Sequence, residues 1–234
     1  MKIATSVIAV FALATWTGGV FSQVNMPLLP TQRVSLSVSA SMQVAQDLLT
    51  LSLTAQREGA DPQAVQAELK AALEAALTLA RRDARSGLMQ VRTGRFGLSP
   101  RYGRDSKPNG WQGSAELVLE GQDFARISET AGKIQTMTVA GVNFGLSREQ
   151  RQGVQTQAQT QAIAQFRQRA SEIAKAFDFA GYALGEISVN YDDPTPPGRP
   201  MLMAARAVTS DAPVPLEAGL TSVSVTVTGS VQLK

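Results

Sequence analysis

The stretch that decides the fold is residues 139–191, VAGVNFGLSREQRQGVQTQAQTQAIAQFRQRASEIAKAFDFAGYALGEISVNY. Its first residues alternate apolar with small or polar side chains, which is typical of a strand with one buried face. Ser147 then lies three residues before Gln150. In that spacing each side chain can satisfy a free amide of a helix start, so we expect a helix to begin there.

This long helix carries a continuous apolar stripe. Apolar residues recur every three or four positions along one face, at Val154, Ala158, Ala162, Phe166, Ala170, Ile173 and Phe177. We expect the helix to end near Gly181, because glycine adopts the left-handed conformation of a helix C-terminus at little cost. Ile187, Val189 and Tyr191 then resume the alternation of a strand. The stretch therefore predicts a helix packed on a sheet, and no feature of it indicates a reaction centre.

The composition excludes several kinds of catalytic and metal site. The 234 residues include no histidine and no cysteine, which removes the commonest general base, the thiolate nucleophile and the usual zinc ligands. Carboxylate chemistry and oxygen-ligated metals remain open. A formal net charge of +3 is too small to predict a nucleic-acid partner. We expect no cofactor and no metal.

The N-terminal residues have the pattern of a secretory signal peptide. Lys2 gives a positive start, and an almost wholly apolar run from Ile3 to Trp16 precedes small residues. We predict a signal peptide at 1–22 and a linker at 23–32. An uncleaved membrane anchor is the alternative, but the run is shorter than the roughly 20 residues that spanning requires.

The rest of the chain alternates between strand and helix patterns. We predict two helices, one from Pro62 to Gly87 and one over 123–136, and strands at 34–40, 49–55, 88–102, 111–119 and 220–227. The first two strands are expected to pair as a hairpin. The order predicts an α+β (mixed α/β) fold in which helices cover a largely antiparallel sheet. The hairpin at 88–119 either joins this sheet or forms a lobe of its own.

A proline-rich segment separates the last two predicted strands. Residues 192–217 contain six prolines, a density that forbids regular helix or interior strand and predicts a long surface loop. Its Met201, Leu202, Met203 and Arg206 suit a protein partner, since flexible apolar side chains adapt to one. Two alternatives are a loop that folds back to cap its own core and a copper(I) site. Two thioethers without histidine or cysteine make a poor copper site.

A basic cluster is the second candidate site. Arg92, Arg95 and Arg101 lie close together in the sequence with aromatic residues between them, an arrangement that suits an anionic ligand or lipid head group. The simpler interpretation is a solvated hairpin whose aromatic residues pack on the sheet. The weak overall charge favours this second interpretation.

Five short motifs follow one another in the chain in addition to its leader and its long Ala/Gln/Arg helix. They are VSLSVSA at 34–40, FGLSPRY at 96–102, VNFGLS at 142–147, PMLMAARA at 200–207 and PVPLEAG at 213–219. Together they resemble the SIMPL domain family of bacterial periplasmic and outer-membrane-associated proteins, formerly a domain of unknown function. The resemblance covers residues 33–234.

The resemblance implies a non-enzymatic periplasmic protein that oligomerises. Members of this family include a periplasmic immunogenic protein that assembles into a large channel-like oligomer, and others are linked to tolerance of oxidative stress. The implied partners are further copies of the chain or another envelope protein, with no nucleic acid and with peripheral membrane contact or none. The family has no agreed catalytic residues, so none is assigned here.

The long helix supplies one more candidate surface. It carries eight glutamines between positions 150 and 168, where the exposed face of a monomer usually carries charge. We therefore predict that the face with Gln157 and Gln161 lies in a protein interface. The alternative function is an enzyme or binding domain for an anionic envelope ligand, held by the arginine cluster.

Overall fold

The computed structural model describes residues 32–104, 106–192 and 217–234. The signal peptide predicted at 1–22 and all of the predicted linker except Gln32 lie outside the described residues. So do the four residues singled out in the proline-rich segment, namely Met201, Leu202, Met203 and Arg206. The described residues form two antiparallel sheets and three helices, which confirms the predicted α+β class.

Seven strands and three helices follow one another in the described ranges. In chain order they are β1 Arg33–Ala45, β2 Leu48–Gly59, α1 Pro62–Asp83, β3 Met89–Tyr102, β4 Pro108–Gly121, α2 Phe124–Lys133, β5 Thr138–Gly145, α3 Arg148–Ala176, β6 Tyr182–Tyr191 and β7 Leu220–Leu233. Sheet A has the strand order β1-β7-β6, and sheet B has the order β3-β4-β2-β5.

Sheet B buries one face under α1 and α2. Leu49, Leu51 and Leu53 of β2 are each at most 1% exposed and form a core with Leu69 of α1 and Ile127 of α2. The β3–β4 hairpin belongs to this sheet, because β4 pairs with β2 along its other edge. Residues 88–119 are therefore not a lobe of their own.

Within the described residues, α3 is the helix that covers sheet A. The predicted apolar stripe is confirmed at Ala158, Ala162, Phe166 and Ala170, which are buried. Val154 and Ile173 are only partly buried. The prediction is wrong for Phe177, which lies beyond the end of the helix and is 64% exposed. The predicted start is also confirmed, because Ser147 Oγ accepts a hydrogen bond of 3.2 Å from the Gln150 N–H. The small alanine side chains allow the helix to lie close to the strands.

The predicted end of α3 at Gly181 is wrong. The helix ends at Ala176, and the residue in the left-handed conformation is Asp178, with φ 60°. Aspartate is among the non-glycine residues that tolerate this conformation, because its short polar side chain can bond locally. Gly181 instead exchanges two backbone hydrogen bonds of 2.9 Å with Lys234 beyond the end of β7.

The predicted hairpin between the first two strands is also wrong. Although only Gln46 and Asp47 separate them, β1 pairs with β7 and β2 pairs with β4 and β5. The alternating valines of β7 match the apolar face of β1 over thirteen consecutive pairs. Alternation of period two shows that a strand has a buried face, but it does not identify the neighbouring strand.

The two sheets are joined at Asp47. Its carboxylate accepts hydrogen bonds from the Ser147 N–H at 2.7 Å, from Ser147 Oγ at 2.6 Å and from Gln122 Nε2 at 2.9 Å. The backbone N–H of Asp47 donates to Gly145 O at 3.1 Å. One residue therefore ties the link between β1 and β2 to the start of α3.

We expect Asp47→Ala to lower the free energy of unfolding by about 2 kcal/mol, because it leaves polar groups of the buried Ser147 without a charged acceptor. Urea unfolding measures this change. Asp192→Ala, which removes an exposed carboxylate after β6, is the control and should change little.

The double variant Asp47→Ala, Ser147→Ala should lose less free energy of unfolding than the sum of the two single losses, since both substitutions remove the same hydrogen bonds. Strict additivity would contradict this account of the junction.

The contact between Asp83 and Lys133 should make stability depend on pH. Lys133 Nζ lies 2.8 Å from Asp83 Oδ2, and this hydrogen bond is the main reason that the pKa of Asp83 is lowered. A lowered folded pKa stabilises the fold above the ordinary carboxyl pKa, and that stability is lost as pH falls through the folded value. Asp83→Asn should therefore be less stable than the natural chain at pH 7, with the difference shrinking at pH 3.

Chemical unfolding at the two pH values measures this difference. In the Asp83→Asn background, Lys133→Gln should add little further destabilisation, because its partner is already gone. A difference that is the same at both pH values would show that the carboxylate charge does not stabilise the end of α1.

Candidate interaction surface

The side of α3 that faces β1 is lined by glutamine amides. At one end, Gln150 and Gln157 share a groove with Met42 and Val44 of β1. At the other end, Gln165 and Gln168 share a groove with Ser37 and Val38. Gln161 is four residues from both Gln157 and Gln165, so it lies on the same side of the helix. We call this set the amide stripe: Gln150, Gln157, Gln161, Gln165 and Gln168.

The middle of the amide stripe lies in a long stretch without charge, whereas its ends adjoin Glu149 in one groove and Arg169 and Glu172 in the other. No Asp, Glu, Lys or Arg occurs in α3 from Gln152 to Phe166, a length of about 22 Å at the helical rise of 1.5 Å per residue. None occurs in β1 and its link from Val34 to Gln46. Depletion of charge is the compositional mark of the core of a protein interface. The sequence prediction for Gln157 and Gln161 thus falls on a larger uncharged surface.

The neighbouring edge of β1 extends this surface. Within the described residues β1 pairs only with β7, so its other edge has no strand beside it. Its inward-facing Val34, Leu36 and Val38 pack against the core of sheet A but are only partly buried. Apolar side chains at this edge would therefore lose further contact with water if another strand lay alongside.

The face of sheet A that points away from α3 consists mainly of hydroxyl groups. Ser39 Oγ lies 2.9 Å from Thr226 Oγ1, Ser41 Oγ lies 2.6 Å from Ser222 Oγ, and Ser37 lies within hydrogen-bond distance of Thr228. These pairs link β1 to β7 across the sheet. From Ser35 to Ser41 this face carries no charge; Arg33, at the start of β1, lies on the same face and donates to Ser230 Oγ at 2.7 Å.

The β6 side of sheet A is more exposed than the sequence indicates. Ile187 and Tyr191 were expected on a buried face, yet they are 38% and 52% exposed. Tyr191 Oη donates to Gln159 Oε1 at 2.9 Å, on the side of α3 opposite the amide stripe. Because α3 lies mainly over β7 and β1, it leaves these side chains partly uncovered.

The structure does not gather the basic cluster into one site. Arg92 and Arg101 are nine residues apart on the edge strand β3, which is about 30 Å along an extended strand. Arg92 pairs with Glu120 at 3.7 Å, and Arg101 pairs with Glu58. These exposed ion pairs neutralise much of the charge that an anionic ligand would need.

Arg95 occupies an irregularity between the other two arginines. The pairing of β3 with β4 shifts by one residue between Thr93 and Phe96. The Arg95 backbone N–H there donates to Glu116 Oε2 at 3.0 Å. A Cβ at position 94 would meet the Glu116 carboxylate, so Gly94 leaves room for that side chain in its present position. Glu116 therefore adds a further negative charge beside the predicted anion site.

The described ranges contain no cluster of three or more acidic residues placed to hold a metal ion. No helix within them is long and apolar enough to span a bilayer.

The comparisons with known proteins identify one family. The family model described as SIMPL, Protein of unknown function (DUF541), matches residues 34–231. This range runs from β1 into β7 and includes both sheets and all three described helices. It confirms the resemblance drawn from the five motifs. No curated protein matches the chain.

We expect the combined substitution of Arg92, Arg95 and Arg101 by alanine to change binding to anionic lipid vesicles by less than about twofold, because exposed ion pairs contribute little and the charges are dispersed. Vesicle co-sedimentation of the mature protein measures this binding. Alanine at Arg81, Arg82 and Arg85, which are exposed at the end of α1, removes equal charge and is the control. Loss of binding in the first variant alone would support the anionic-ligand function instead.

Proposed function

The chain belongs to the SIMPL family. From this membership and from the uncharged stretch of α3 and β1 in sheet A, we propose that it is an exported, non-enzymatic protein of the cell envelope. We propose that it acts by assembling with copies of itself. The leader pattern at 1–22 supports a periplasmic location, including one associated with the outer membrane. A channel-like assembly and a role in tolerance of oxidative or envelope stress extend this proposal by analogy with the family.

The amide stripe is the observation that carries the proposal. A glutamine side chain offers both a donor and an acceptor, so a row of glutamines can bond to an identical row in a second copy. Charged residues would lose their hydration in the same contact, and the energy of pairing them often does not offset that desolvation free energy. The stripe therefore suits an interface between like surfaces better than a surface that stays in water.

The environments of the two shifted carboxylates do not suit a general acid. The pKa of Asp83 is lowered mainly by its hydrogen bond to Lys133, and the pKa of Asp123 is lowered mainly by the Arg126 backbone N–H at the start of α2. Both shifts favour the ionised carboxylate and follow from contacts at helix ends. A carboxylic acid that serves as a general acid near neutral pH needs the opposite shift.

The experiment that tests the proposal is the introduction of charge into the amide stripe. Gln157→Glu should weaken self-association of the mature protein at least about tenfold, or 1.4 kcal/mol, because two copies would bring buried like charges together. Light scattering over a range of concentrations measures the mass, and circular dichroism checks the fold. Gln161→Glu should act in the same way.

Gln152→Glu is the matched control. Position 152 is exposed, and five residues place it about 140° around the helix from position 157. It should leave the mass unchanged. A mature protein that stays monomeric at every concentration would contradict assembly, and a normal oligomer from both Gln157→Glu and Gln161→Glu would show that the amide stripe is only solvated.

A further inference from the structure

The sheets present four edge strands in the described residues, and three of them carry features that oppose pairing. β3 has exposed arginines, Pro100 and the irregularity at Gly94. β5 is only eight residues long and has a shifted register at Leu53 of its partner strand. β6 has a shifted register between Leu184 and Ile187, where Glu186 lies. Charges, proline, bulges and shortness are the usual means by which proteins prevent edge-to-edge association.

The fourth edge, β1, carries none of these features. It spans thirteen residues, pairs with β7 without a single register shift, and contains no proline. Arg33 at its first position is its only charged residue. No strand of the described residues pairs with its outer edge, so the backbone groups there offer a regular row of donors and acceptors to another strand. An edge of this kind would favour aggregation unless the protein uses it.

We propose that β1 pairs antiparallel with β1 of a second copy about a two-fold axis. This contact joins the two three-stranded sheets into one sheet with the order β6-β7-β1-β1′-β7′-β6′. The inference rests on the proposed function, because it specifies the contact through which copies assemble. It adds which strand makes that contact and in which direction.

The two-fold arrangement brings like surfaces together in a compatible way. Residues directly opposite each other in an antiparallel pair point to the same side of the sheet, so the apolar faces of both strands stay under their α3 helices. The two amide stripes, each beside its own β1 edge, then face each other across the axis. The hydroxyl faces become continuous on the other side of the joined sheet.

The charge at the start of the strand favours the antiparallel direction. Arg33 begins β1, and its side chain lies on the hydroxyl face, where Nη2 donates to Ser230 Oγ at 2.7 Å. An in-register parallel pair would bring the two arginines together. In an antiparallel pair they lie at opposite ends of the contact.

Single cysteines introduced along β1 test this contact, because the chain contains no cysteine of its own. The variants are Ser35→Cys, Ser37→Cys, Ser39→Cys and Ser41→Cys, all at exposed positions on the hydroxyl face. Opposed residues have Cβ atoms about 5 Å apart, whereas each two-residue step away from the axis adds about 13 Å between identical positions. Disulfide-linked dimers should therefore form mainly at one or two neighbouring positions.

If the two-fold axis passes beside Ser39, the pattern of cross-links can be predicted position by position. Ser39→Cys should then cross-link to itself, and an equimolar mixture of Ser37→Cys and Ser41→Cys should cross-link although neither does alone. The controls are Ser188→Cys on the β6 edge and Thr228→Cys on the central strand, both exposed, and neither should form dimers. Non-reducing electrophoresis after mild oxidation at micromolar concentration measures the dimer fraction.

The other outcomes separate this inference from the proposed function. An oligomer by light scattering without cross-links at any β1 position overturns the β1 contact and leaves self-assembly standing. Cross-links between Ser188→Cys and a β1 variant would assign the contact to β6 and also overturn it. Equal cross-linking at all positions and in the controls would indicate random collision, and it would also overturn the β1 contact. A monomeric protein without cross-links overturns both.

Discussion

The arrangement of the two sheets depends on the hydrogen bonds to Asp47. This carboxylate lies between β1 and β2, and it binds both the backbone and the hydroxyl of Ser147. Ser147 is also the N-cap of α3, so the same contact determines where the helix begins. A helix that starts there extends along sheet A with its alanine stripe inward. Asp47 therefore couples the crossing of the chain between sheets to the position of the helix that covers one of them.

The two sheets differ in how completely they are covered. Sheet B has two helices over its core, and its long edge strand carries charge and a bulge. In the part of the chain that the structure describes, sheet A has three strands at a spacing of about 4.8 Å under a single helix about 10 Å wide. One helix cannot shield both edges, which explains why Leu36 and Val38 on one side and Ile187 on the other stay partly exposed. The surfaces suited to assembly thus follow from the unequal number of helices.

Family membership and surface chemistry support different parts of the functional argument. A shared fold does not establish a shared activity, so the SIMPL match gives the class of protein and the surface must give the contact. The amide stripe belongs to α3 and is marked by its glutamine content. The open edge belongs to β1 and is marked by the absence of a paired strand in the described residues. Their position side by side gives the self-assembly proposal a physical basis that neither provides alone.

The sequence by itself determined where the helices begin, which face of α3 is buried over most of its length, and the family. The cap at Ser147, the alanine stripe of α3, the start of α1 at Pro62 and the α+β class all depend on short-range patterns, which a single stretch of chain contains in full. The tertiary structure decided which strands pair, because the alternation in β1 is the same whether its neighbour is β2 or β7. It also placed Arg92 beside Glu120 and Arg101 beside Glu58. In the described residues it placed Gln157 and Gln161 near the open edge of β1. Only long-range pairing brings residues so distant in the sequence together.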